Sequence, residues 1–60
     1  MLILQDKILI VDDEKNILDV LAYSLKREGY MIDTACAGKE ALRKIDSFNP
    51  HILILELKRA

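Results

Sequence analysis

The sequence predicts an α/β fold in which three parallel strands alternate with two helices, in the order β-α-β-α-β. Short apolar runs that suit buried strands alternate with amphipathic stretches of helical period. Acidic, Gly or Asn-Pro stop signals separate these stretches, and the length of 60 residues suits one small domain over residues 1–60. Strands that alternate with helices favour parallel pairing through crossover connections.

The first strand is predicted over Lys7–Val11, where a continuous aliphatic run ends abruptly at Asp12. Such a run is typical of a strand that is buried on both faces of a parallel sheet. The first helix is predicted over Asn16–Glu28, because an apolar stripe recurs there at helical spacing. Gly29 suits the left-handed residue that follows a helix end, so we expect the helix to stop just before it.

The second half of the chain repeats this alternation. A short strand is predicted over Tyr30–Cys36 and a helix over Lys39–Phe48, which Pro50 ends because the residue before a proline disfavours helical geometry. The third strand is predicted over His51–Leu57, which is strongly apolar until Glu56. The second helix is expected to place four apolar side chains on one buried face: Ala41, Leu42, Ile45 and Phe48.

Composition and charge exclude several functional classes. A chain with 52% hydrophobic residues is globular rather than disordered, and a net charge of −1 argues against a nucleic-acid partner. The apolar start of the chain ends at Gln5, too early for a signal peptide or a membrane span, which predicts a cytoplasmic protein without a membrane partner. The single cysteine, Cys36, forms no internal disulfide and is expected to pack as a small side chain, and His51 is expected at the surface.

Carboxylates follow two of the predicted strands. Asp12 and Asp13 come directly after the first strand, and Glu56 lies at the end of the third. Ligands of open parallel sheets bind at the carboxyl ends of the strands, so the three acids converge if the first and third strands are neighbours. Carboxylate oxygens suit a hard cation such as Mg²⁺. The alternative is a solvated turn or a helix-capping pair for the two aspartates, and a plain surface acid for Glu56.

Four segments, in order and spacing, resemble the N-terminal half of the response-regulator receiver domain of two-component signalling. The resemblance covers the chain from about residue 7 to residue 57. Each motif is weak by itself, and the specificity comes from all four occurring in the family's order. They are the strand and acidic pair at Lys7–Glu14, the pair Gly29-Tyr30, the helix start at Ala37–Leu42, and the third strand at Pro50–Leu57, which the family usually writes as Pro-Asp-hydrophobic run-Asp.

The resemblance implies a flavodoxin-like fold with strand order 2-1-3-4-5 and a phosphorylation site at the carboxyl end of the sheet. It implies that Asp13 binds Mg²⁺ directly and that Asp12 assists, partly through water. It places Glu56 at the position that accepts phosphate from a histidine kinase and also binds the metal.

Two departures from the family change the expected function. Glu56 replaces the acceptor Asp, and its extra methylene displaces the carboxylate by roughly 1 Å, a misplacement that can cost about 10²-fold in a positioned reaction. We therefore expect no phosphorylation, weak or absent Mg²⁺ binding and no enzymatic activity. The 60 residues also hold no counterpart of the later family segments that carry a Thr or Ser and a Lys, which predicts a truncated receiver.

Truncation predicts self-association. In the family's strand order the third strand is central, so residues 52–57 would form a bare apolar edge, which is an association site. We expect a homodimer or higher oligomer that completes the sheet through this strand. Three alternatives remain open: a phosphate-independent regulator that docks a histidine kinase through the first helix, Mg²⁺-dependent phosphoryl acceptance at Glu56, and a structural half-fold fragment without activity.

Overall fold

Three strands and two helices alternate along residues 6–55, the part of the chain that the computed structural model describes. The predicted types and order of the elements are confirmed, and their boundaries within this part differ from the predictions by no more than one residue. The elements are β1 (Lys7–Val11), α1 (Lys15–Arg27), β2 (Met31–Ala35), α2 (Gly38–Phe48) and β3 (Ile52–Leu55).

The strands form one parallel sheet in the order β2-β1-β3. This is the order that the receiver resemblance implies for the first three strands. The register is level at the carboxyl edge, because Val11 lies opposite both Ala35 and Leu55. The central strand β1 is buried along Ile8–Val11, as its continuous apolar run predicts.

The core consists of two layers on opposite faces of β1, because successive side chains of a strand point to opposite sides. On one face Leu9 and Val11 pack with Ala41 of α2, and Phe48 covers the edge of this layer. On the other face Ile8 and Ile10 pack with Leu18 of α1, together with several partly buried side chains. The two helices therefore cover opposite faces of the sheet.

The helix ends follow the predicted signals. After α1, Gly29 adopts a φ of 101°, a left-handed value that favours glycine. After α2, Asn49 adopts φ 59° and ψ 58°, and its N–H donates to the carbonyl of Ile45. The chain is thereby turned out of the helix at Asn49, one residue before Pro50.

Three side chains that were expected to be packed are exposed. Leu42 retains 70% of its accessible surface, because it lies 100° around the helix from the buried Ala41 and points past the sheet. Cys36 follows β2 in the bend before α2 and is exposed, so the prediction that it packs as a small core residue is wrong. Ile45, from the same predicted face as Leu42, is also largely exposed.

Neither helix within residues 6–55 combines the length and the apolar character needed to cross a bilayer.

Candidate functional site

The loop between β1 and α1 holds two adjacent carboxylates in different environments. Asp12 is buried, and its backbone N–H donates to the carbonyl of Ala35 at 3.1 Å. One carboxylate oxygen of Asp12, Oδ1, accepts the backbone N–H of Glu14 at 2.9 Å. Asp13 is exposed at the tip of the same loop. The Asp12 carboxylate is therefore held in place by the loop, whereas that of Asp13 faces solvent.

These aspartates lie at the level carboxyl edge of the sheet, where Val11 pairs with Leu55. β1 and β3 are neighbours, which was the condition for the three predicted acids to converge. Glu56 lies outside the described residues, so its convergence with Asp12 and Asp13 stays a prediction. Residues 6–55 contain no group of three metal-ligating side chains in mutual reach.

A second polar cluster joins α2 to the outer strand β2. The Lys44 ammonium donates to Oδ1 of Asp33 at 2.9 Å and to the carbonyl of Thr34 at 2.6 Å. It also lies 3.4 Å from Oε2 of Glu40, one turn earlier in the helix. The other oxygen of Glu40, Oε1, accepts the backbone N–H of Cys36 at 2.9 Å. This cluster fixes the start and the middle of α2 against β2.

The cluster perturbs two ionisable groups. The pKa of Glu40 is lowered, chiefly by the Cys36 N–H that donates to it; burial opposes this shift, and the Lys44 ammonium adds to it. The pKa of Lys44 is raised, chiefly by its hydrogen bond to Asp33. The sequence reasoning missed this cluster. The spacing of Glu40 and Lys44, four residues apart on a helix, was the available signal.

The outward face of α1 carries large apolar side chains. Val20 and Tyr23 each keep 65% of their surface, and Ile17 is exposed beside them. The Arg27 guanidinium lies 5.8 Å from the centre of the Tyr23 ring, a cation–π contact that orders the end of this face. An apolar helix face of this kind, rimmed by polar groups, is suited to binding another protein.

A second apolar surface lies between α2 and β3. Leu53 and Leu55 pair with Leu9 and Val11, so they point to the α2 side of the sheet, and both are about half exposed. Leu42 and Ile45 lie on the flank of α2 away from Lys44, which is bound to β2, and therefore on the β3 side. We call these four side chains the α2–β3 surface: Leu42, Ile45, Leu53 and Leu55. Among the described strands, β3 pairs only with β1, so its outer edge adjoins this surface.

Comparison with known proteins identifies the family. The family described as the response regulator receiver domain matches residues 8–58. The alkaline phosphatase synthesis transcriptional regulatory protein PhoP of Bacillus subtilis (strain 168) is similar, with 45% identity over 51 residues, which are 85% of this chain and 21% of that protein. The chain thus spans about a fifth of the length of that curated relative. The chain belongs to the response regulator receiver family of two-component signalling.

Proposed function

We propose that this chain is a cytoplasmic receiver module of two-component signalling that acts by binding proteins, and that it is neither an enzyme nor a phosphoryl acceptor. The observation that carries the proposal is the exposed apolar α2–β3 surface beside the outer edge of β3. Surfaces of this kind mark sites of protein association. The net charge of −1 gives no support to a nucleic-acid partner.

The proposed loss of phosphorylation rests on the residue at position 56. The receiver resemblance places the acceptor Asp directly after the hydrophobic run of the third strand, and here that residue is Glu56. Its longer side chain displaces the carboxylate by roughly 1 Å, which is expected to slow transfer about 10²-fold. After incubation with acetyl phosphate and Mg²⁺, intact-mass spectrometry should show no phosphoryl adduct. An adduct that Glu56→Gln abolishes would instead make Glu56 an acceptor.

Weak Mg²⁺ binding at Asp12 and Asp13 is part of the proposal. Their carboxylate oxygens are suitable donors, and the ion would neutralise the charge at this edge of the sheet. One oxygen of Asp12 already accepts the Glu14 N–H, however, which leaves fewer donors for a metal. A ligand at about 100 times its dissociation constant adds roughly 2.7 kcal/mol of stability, so a Mg²⁺ titration followed by thermal unfolding measures the affinity. Asp13→Asn should remove any stabilisation that wild type shows.

Self-association through β3 is the binding mode that the exposed surfaces favour for the 60-residue chain. Pairing β3 with its counterpart in a second copy would satisfy the outer backbone groups and cover Leu53 and Leu55. Sedimentation velocity at micromolar concentrations should therefore show a homodimer or a higher oligomer. Leu53→Lys should shift the chain to monomer, since charged residues block strand edges.

Val20→Lys is the matched control for self-association, because it places the same charge on the exposed face of α1. That variant should associate like wild type. A wild-type chain that is folded and monomeric at tens of micromolar contradicts the self-association proposal.

Docking to a histidine kinase through α1 is a second candidate function, and the exposed Val20 and Tyr23 favour it. In competition with a kinase dimerisation domain, Val20→Lys should weaken binding while Leu53→Lys leaves it unchanged. The opposite pattern, or no binding at tens of micromolar, would remove this candidate. A chain that neither associates nor binds a kinase would be a structural unit whose aspartates are relics of the family's site.

A further inference from the structure

We propose that the contact between His51 and Lys7 is a pH-sensitive clasp that holds the start of β3 to the sheet and is complete only while the imidazole is neutral. This inference concerns the opposite end of the sheet from the aspartates. It stands independently of the proposed function, since it needs only the folded chain.

The clasp consists of two hydrogen bonds between residues that are 44 positions apart. The backbone N–H of His51 donates to the carbonyl of Lys7 at 2.8 Å. The backbone N–H of Lys7 donates in return to the ring nitrogen Nδ1 of His51 at 3.1 Å. Together they close the amino-terminal end of the β1–β3 ladder, one residue before the first strand pair, Ile8 with Ile52.

The second of these bonds requires a neutral imidazole. A backbone N–H can bond only to a ring nitrogen that has a free lone pair, so Nδ1 must be unprotonated and the proton must lie on Nε2. In the imidazolium form both ring nitrogens are donors. Protonation of His51 would therefore place two N–H donors opposite each other and break this second bond, leaving only the backbone bond from the His51 N–H to the Lys7 carbonyl.

Charged groups of both signs lie at this end of the sheet. The Lys7 ammonium donates to the Phe48 carbonyl at 3.2 Å and lies 5.7 Å from the centre of the Phe48 ring, so it is held at this end of β1. The other charged groups on the elements here are Asp6, directly before β1, and Asp46, in the last turn of α2. Carboxylates ordinarily stay ionised between about pH 5 and 8. Protonation of His51 would place a second cation near Lys7, which opposes it, whereas the two carboxylates favour it, so the proposal rests on the hydrogen bond to Nδ1.

The sign of the pH dependence follows from linkage. Protonation of the imidazole breaks no bond in an unfolded chain, whereas in the folded chain it breaks the bond from the Lys7 N–H to Nδ1. The unfolded state therefore binds more protons, and stability falls as the pH falls through the range in which histidine titrates. His51 is the single histidine of the chain, so it is the only imidazole to which this dependence can be assigned.

The test compares urea unfolding of the full chain and two variants at about pH 7.5 and about pH 5.5, on either side of the ordinary imidazole value of roughly 6.5. His51→Asn places an amide oxygen where Nδ1 lies and keeps an acceptor at both pH values. His51→Ala removes the acceptor. Relative to His51→Asn, wild type should lose about two- to tenfold in its folding equilibrium constant on acidification, the worth of one hydrogen bond. His51→Ala should be weaker at both pH values and should show no such extra loss.

A second measurement on wild type keeps the proposal testable if a variant fails to fold. In NMR spectra at about pH 7.5 the imidazole should be the Nε2–H form, and the Lys7 amide proton should shift upfield in step with protonation of the ring. The proposal is overturned if wild type and His51→Asn lose equal stability on acidification. A Lys7 amide that does not follow the ring would overturn it equally.

Discussion

Lys44 of α2 and Asp33 of β2 form the ion pair that joins the second helix to the outer strand, with 2.9 Å between Nζ and Oδ1. Both side chains are partly shielded from solvent, and Lys44 also bonds the Thr34 carbonyl and the Glu40 carboxylate. Because one ammonium donates to Asp33 and Thr34 of β2 and also lies 3.4 Å from the Glu40 carboxylate of α2, its removal leaves several acceptors without their cation. The pair is therefore worth more than an isolated surface salt bridge.

Replacing Lys44 by Met should lower the free energy of unfolding by about 1–2 kcal/mol, because hydrogen bonds to charged groups are lost at a partly buried site. Urea denaturation followed by circular dichroism measures this change. Lys39→Met is the control, since Lys39 is exposed on the same helix. Equal stability of the two variants would show that the ion pair contributes nothing.

Stability should fall as the pH drops below about 5, in part because of Glu40. Its pKa is lowered from 4.5 in the folded chain, so its contribution is present above that value and is lost as the pH falls through the folded pKa. Glu40→Gln should therefore reduce the loss of stability that thermal unfolding shows at acid pH. Glu28→Gln, which changes an exposed residue after α1, should lose stability on acidification as wild type does. If Glu40→Gln loses as much stability at acid pH as wild type does, Glu40 does not contribute to this loss.

At alkaline pH, a loss of stability is expected from Lys44. Its pKa is raised above 10.5, so its contribution persists below that value and is lost as the pH rises through the folded pKa. Wild type should lose stability in this alkaline range to a greater extent than Lys44→Met does. Thermal unfolding on either side of this range measures the difference, and parallel curves for the two chains would refute it.

Truncation of Leu18 to Ala should cost about 2–5 kcal/mol, because Leu18 is nearly fully buried against Ile8 and Ile10. A domain of this size has a total stability of only about 5 kcal/mol, so the variant should be close to unfolded in urea titrations. Val20→Ala on the same helix is the control and should change stability by about 0.5 kcal/mol or less, since Val20 is largely exposed and lies outside the α2–β3 surface. A small effect at Leu18 would mean that α1 is not packed as described.

The two glycines should respond oppositely to replacement by alanine. Gly29 has a φ of 101°, so Gly29→Ala should cost roughly 1–2 kcal/mol although space for the methyl group is free. Gly38 opens α2 with an ordinary backbone and free space, so Gly38→Ala should stabilise by up to about 1 kcal/mol. Chemical denaturation of the two variants measures both changes in the free energy of unfolding. An equal loss of stability in both variants would refute this distinction.

The elements were predictable because their signals are local. The run Ile8–Val11 is apolar without interruption and lies in the middle of the sheet, and Gly29 and Asn49 end their helices with the geometry that these residue types favour. The face of α2 was predicted less well. Leu42 and Ile45 fit a helical stripe, but the sheet beneath α2 is too narrow on the β3 side to cover them.

The candidate site, like the fold, was predictable only where the sequence signal is local. Asp12 and Asp13 were predicted as site residues from their position after a strand, and β1 and β3 are neighbours as that reasoning required. The role of the two aspartates stays a prediction. Two contacts could not be predicted: that of Lys44 with Asp33 depends on how α2 packs on β2, and that of Lys7 with His51 joins residues 44 positions apart whose proximity the register of β1 with β3 defines. The position of Glu56 relative to the aspartates remains a prediction.

The central place of β1 also bears on how the chain folds. Both strand pairings involve β1, and each joins residues far apart in sequence, such as Lys7 with Met31 and Ile8 with Ile52. Contacts between residues so far apart in sequence slow folding, because a long loop must close before either pairing forms. The longer loop costs only about 0.5 kcal/mol more than the shorter one. The order of assembly therefore depends on what each strand buries, and β3, the most exposed of the three, is the strand expected to dock last and to fray first.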